Sequence, residues 1–78
     1  MEAGMRRYSL SLHGHRTSVS LEPAFWDVLR ALAKDQGQSV ASLVQDIDDE
    51  RIKAGAANGL SSALRVYVLK AVQEQAGR

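Results

Sequence analysis

The sequence contains no cysteine, a single proline and few aromatics: one Trp, one Phe and two Tyr. Without cysteine it has neither disulfides nor thiolate-bound structural metals, the usual staples of small folds, and the lack fits a reducing compartment. No apolar run approaches the roughly 20 residues needed to span a bilayer. The opening MEAGMRRYSLSL has two Arg but no apolar signal-peptide core. A soluble, cytoplasmic protein without a membrane segment is expected. Catalytic signatures are missing as well: there is no G-x-S-x-G and no Gly-rich phosphate loop. Neither enzyme activity nor a cofactor is expected.

What is present is compact. Seventy-eight residues make one domain, and a chain of this length buries only about 60–65% of the surface it exposes when unfolded. With 45% hydrophobic residues but no staples, association with a second copy is the remaining way to enlarge the core. The net charge of +1 says little, but its distribution says more. Arg6, Arg7, His13, His15 and Arg16 crowd the start, while Asp46, Asp48, Asp49 and Glu50 crowd the middle. A basic N-terminal segment suggests an anionic partner on one face, although a solvated basic arm has the same composition.

The stretch HGHRTSVSLEP alternates: Arg16, Ser18 and Ser20 fall on one side, Thr17, Val19 and Leu21 on the other. That is a strand with one dry and one wet face. Tyr8, Leu10 and Leu12 alternate with Ser9 and Ser11 too, but the parity flips across His13-Gly14-His15, so Gly14 marks a bulge, bend or turn. Two pairings are open: a three-residue hairpin through HGH, or pairing of residues 16–21 with the same residues of a second chain.

Pro23 suits the first turn of a helix, and Phe25, Val28, Leu29, Leu32 and Ala33 follow at helical spacing. Gly37 ends that helix and Ser39 caps a second, whose apolar face is Val40, Leu43, Val44 and Ile47. A small-residue loop, Ala54 to Gly59, precedes a third helix over 60–75 with Ser61 or Ser62 as cap. That helix is apolar nearly all the way round, which suggests that it faces a neighbour. If the strand pairs across a two-fold axis, its dry face and Phe25, Leu29, Leu32, Val40, Leu43, Val44 and Ile47 form the core of a homodimer, or of a higher oligomer. An isolated two-stranded ribbon is marginal in water, and packing on helices rescues it.

This order over residues 16–53, carried by RTSVSLEPAFWDVLRALAKDQGQSVASLVQDI, resembles the ribbon-helix-helix family, which includes the Arc and methionine repressors. GHRTSVSLEP…FW followed by LSSALRVYVL is similar to a subgroup of short bacterial members with an extra C-terminal helix. The resemblance implies a mainly α fold with one short strand per chain, intertwined as a homodimer through an intermolecular ribbon; residues 1–15 lie outside that minimal fold, as an N-terminal arm or an extra strand. It implies binding of double-stranded DNA by a repressor or autoregulator in the bacterial cytoplasm or nucleoid. Arg16, Ser18 and Ser20 would contact bases, since arginine pairs with guanine and serine bonds several bases. Gln38, Ser39 and Val40 at the second helix N-terminus would hold a phosphate, with Arg6, Arg7, His13 and His15 adding backbone contacts. Three features depart from the family: its members usually place longer polar side chains than Ser on the ribbon, Glu22 stands where many members have Pro, and the second helix carries acids that must point away from DNA. The alternative is a protein-interaction or antitoxin-type dimerisation module whose third helix grips another protein.

Other motifs are weaker. His13-x-His15 offers two ligands without support and is a poor metal site, and DIDDE lacks the spacing of a calcium loop.

Overall fold

Leu12 faces His15 across a two-residue turn, His13-Gly14. Both turn residues have positive φ, 53° and 78°. This is the type I′ pattern, whose twist matches that of the strands it joins. The computed structural model describes residues 4–77. In it, two strands leave this turn, β1 (Arg6–Leu12) and β2 (His15–Leu21). They pair antiparallel from Leu12↔His15 to Arg6↔Leu21 and form a sheet of two strands.

This corrects the expectation of one strand per chain. The described residues supply two strands, not one, and these two pair with each other within the chain. The reason is the parity flip. With two residues in the turn, even-numbered β1 positions face odd-numbered β2 positions. Tyr8, Leu10 and Leu12 therefore share the dry side with Thr17, Val19 and Leu21. The hairpin loop also has two residues, His13 and Gly14, not the three of HGH. A short intrachain loop closes at far lower entropic cost than association of two chains.

Three helices follow, α1 (Pro23–Asp35), α2 (Val40–Lys53) and α3 (Leu60–Ala76). Pro23 opens α1 as expected. The end of α1 is a Schellman turn: Gly37 N–H donates to Lys34 O and Gln38 N–H to Ala33 O, each at 3.0 Å. Gly37 takes the φ of 71° that this turn needs. Ser39 caps α2, its hydroxyl accepting from Ser42 N–H at 3.1 Å. At α3 the expected cap shifts: Gly59 holds the N-cap position, and neither Ser61 nor Ser62 caps the helix. Ser61 lies in the first turn and donates instead to the Ser20 carbonyl at 2.6 Å, tying α3 to β2.

The core sits between the dry face of the hairpin and the helices. Leu10, Leu12, Val19 and Leu21 meet Leu29 and Ala33 of α1, Leu43, Val44 and Ile47 of α2, and Leu64 and Val68 of α3. Leu21, Leu29, Val44 and Leu64 are fully buried, and each such side chain stabilises the fold by about 1.5–3 kcal/mol. The residues foreseen as a shared dimer core are buried (Val19, Leu21, Leu29, Leu43, Val44, Ile47) or half-buried (Thr17, Phe25, Leu32, Val40) within a single chain. Only one side of α3 is covered: Val66, Leu69 and Val72 stay 45%, 53% and 46% exposed. Among the described residues no helix is long and apolar enough to cross a membrane.

Candidate nucleic-acid interface

With the dry face turned to the helices, the opposite face of the hairpin points outward. It carries Arg7, Ser9 and Ser11 from β1 and Arg16, Ser18 and Ser20 from β2, all exposed except the half-buried Ser20. They stand in cross-strand pairs: Arg7↔Ser20, Ser9↔Ser18 and Ser11↔Arg16. After a two-residue turn these are the non-hydrogen-bonded pairs, whose side chains approach most closely. One arginine stands at each end on opposite strands. The two lie about 13 Å apart along the ribbon, at 3.3–3.4 Å per residue, with four hydroxyls between them. Neither strand contains an Asp or Glu. The surface is a ready set of donors and acceptors with positive ends.

Sequence reasoning found Arg16, Ser18 and Ser20 and assigned Arg7 to the arm. It did not assign Ser9 and Ser11 to this face. The signal was present in their alternation with Tyr8, Leu10 and Leu12, but it needs a turn of even length to be placed on the same side.

The neighbouring acids are engaged elsewhere. Glu22, at the end of β2, accepts from Arg65 Nε at 3.0 Å, and the Arg65 guanidinium also lies over the Phe25 ring, 5.9 Å from its centre. The hydrogen bond from Arg65, helped by backbone hydrogen bonding, holds the Glu22 carboxyl below the usual glutamate range against a smaller desolvation effect. Asp48, 8% exposed, accepts from Arg51 Nε at 3.0 Å and from its Nη2 at 2.8 Å. Glu50 lies 3.9 Å from Lys53.

The other residues foreseen as phosphate contacts are scattered. His13 is directed to α2: its backbone N–H donates to Gln45 Oε1 at 3.0 Å, and its Nε2 lies 3.1 Å from Asp49 and 3.7 Å from Asp48. The tip of the hairpin therefore meets α2 well past its N-terminus. Gln38 donates to Gln36 Oε1 at 2.9 Å and accepts from Ser42 Oγ at 2.7 Å. Ser39 is exposed and Val40 half-buried, and Arg6 and His15 are exposed on the dry-face register. Among the described residues no group of three or more metal-ligating side chains converges.

A paired, acid-free ribbon backed by two capped helices defines a class. The ribbon-helix-helix domain model matches residues 5–72, and the chain belongs to that family. Among solved structures, an uncharacterized protein of Bordetella pertussis Tohama I is similar at 38% identity with a TM-score of 0.82. The match covers 97% of this chain and 62% of that one, so this chain spans less than two thirds of that relative's length. No curated protein matches.

Proposed function

We propose that this protein binds double-stranded DNA sequence-specifically, as a transcriptional repressor or autoregulator of the bacterial cytoplasm. One observation carries the reading. The exposed ribbon face, Arg7, Ser9, Ser11, Arg16, Ser18 and Ser20, has arginines at both ends and no acid. A two-stranded ribbon fits the B-DNA major groove, about 12 Å wide. Here one chain provides a complete ribbon. Arg16 and Arg7 contact guanine edges or flanking phosphates, and the four serines between them bond to base edges. Free N–H groups at Ser39 and Val40 and the α2 dipole favour a phosphate, with Gln38 beside them.

Selection of bound fragments from randomised duplex DNA yields the site, and binding on it tests the reading. Arg16→Ala weakens binding by about 1–3 kcal/mol and relaxes the preference at one base pair. Affinity falls steeply with salt because phosphate neutralisation releases counterions. Equally weak, sequence-independent binding by wild type and variant at low salt refutes base reading.

A second reading, a protein-interaction module, is favoured by the exposed Val66, Leu69 and Val72 on α3. In that case affinity for the partner changes little with salt, because the contact is apolar.

A further inference from the structure

We infer that the DNA element read by this ribbon is a short inverted repeat, because the hairpin of one chain is itself two-fold symmetric on its outward face. The inference rests on the DNA-binding reading above and adds the symmetry and spacing of the target. It starts from a repeat in the sequence. Arg7-Tyr8-Ser9-Leu10-Ser11-Leu12 returns as Arg16-Thr17-Ser18-Val19-Ser20-Leu21. The Arg, both Ser and the final Leu are the same in the two copies, and an aliphatic stands between the serines in each. Burial runs alike along β1 and β2, and the half-buried Ser20, against the exposed Ser11, is the one departure.

Register turns this repeat into symmetry. Ser9↔Ser18 is the middle pair of the ribbon, and an antiparallel ribbon has a local two-fold axis normal to it through such a pair. Rotation about that axis carries Arg7 onto Arg16, Ser9 onto Ser18 and Ser11 onto Ser20. The outward face therefore offers the same Arg-Ser-Ser set in both directions. The dry side departs from the symmetry because the helices meet it unequally. Tyr8 stacks on Trp26 of α1, whereas its counterpart Thr17 lines a cleft with Leu60 and Ser61 of α3. The symmetric positions are thus the ones that face away from the protein.

B-DNA has two-fold axes of its own, which exchange its two strands across the groove. A symmetric face centred on one of them makes equal contacts only where both strands carry equal bases, so the target is an inverted repeat; operator symmetry mirrors protein symmetry in the same way. Arg7 and Arg16 lie about 13 Å apart along the ribbon. Base pairs rise about 3.4 Å each and the groove is inclined to the helix axis, so the two arginines reach guanines about three to four steps apart on opposite strands. The serines bond several bases and leave the pairs between loosely specified. The symmetry lies within one hairpin and holds for each ribbon, whatever number of chains assemble.

Selection from randomised duplex DNA with the full chain, as wild type, Arg7→Ala and Arg16→Ala, tests the inference, with circular dichroism to check folding. Wild type enriches two G·C pairs whose guanines stand on opposite strands about three to four steps apart. Each variant loses the preference at one of the two pairs and binds the wild-type element about tenfold or more weakly. Arg7→Lys and Arg16→Lys keep the charge without the planar fork, so they relax the base preference while the salt dependence stays. An asymmetric enriched element, or an Arg7→Ala variant that selects the wild-type element unchanged, overturns the inference and leaves DNA reading in place. Symmetry found only across a full helical turn, about 10 base pairs, also overturns it, because one ribbon is too short to span that distance. Enrichment of no sequence at all overturns DNA reading together with it.

Discussion

Tyr8 lies flat against Trp26, their ring centres 4.0 Å apart and their planes 7° from parallel. This stack clamps the open end of the hairpin to α1, while the backbone N–H and imidazole of His13 fasten the other end to α2. The ribbon is thereby held at both ends against the helices, and its outward face is presented on a rigid base.

Breaking the stack loosens that base. Tyr8→Ala lowers the unfolding free energy by about 1–3 kcal/mol in urea denaturation, within the usual range for such truncations. A double-mutant cycle with Trp26→Ala returns a coupling of about 0.5–1.5 kcal/mol. A coupling near zero shows that the two rings stabilise the fold independently.

Gly14 sets the ribbon's closure within one chain. At its φ of 78° an added Cβ meets nothing within 4 Å, so the cost of Gly14→Ala is conformational and amounts to about 1–2 kcal/mol. Amide exchange should locate the loss in β1 and β2. An unchanged unfolding free energy contradicts the type I′ assignment.

The third helix is part of the domain. Leu64→Ala, at a fully buried position, should cost about 2–5 kcal/mol and keep a single cooperative transition. If deletion of the Leu64 side chain leaves stability intact, α3 is an appendage and not part of the core.

Acid should weaken the tie between α1 and α3. The Glu22 carboxyl titrates below its ordinary value because Arg65 donates to it. A depressed carboxyl contributes stability that is complete above the ordinary, unfolded-state glutamate range. That contribution is lost as pH falls through the lower folded value. Glu22→Gln therefore reduces stability at neutral pH and flattens the acid limb of the stability profile. A variant whose acid limb matches that of wild type contradicts the assignment.

Much of this architecture is legible in the residues. The alternation from Arg16 to Leu21, Pro23, Gly37 and Ser39 mark β2, α1 and α2 because each reflects a local rule: period two, a fixed φ, a left-handed C-cap, an N-cap hydroxyl. Pairing is not local. Whether β2 meets its own chain or another depends on one residue of loop length at His13-Gly14, and a sequence that flips parity there reads equally as a bend. The same holds for α3. Its apolar residues surround the helix, yet only tertiary packing determines that Leu64 and Val68 turn inward while Val66, Leu69 and Val72 remain outside. Glu22 looked like a charge near DNA, and only the fold brings Arg65 to it across 43 positions.

The central claim is that a ribbon closed within one chain reads DNA through its outward face. Titration of the labelled protein with its selected duplex, followed by amide chemical shifts, tests it most directly. The account expects the largest changes at Arg7, Ser9, Ser11, Arg16, Ser18 and Ser20, with Leu64 and Val68 undisturbed. Shifts concentrated on α2 and α3 with a silent hairpin contradict it.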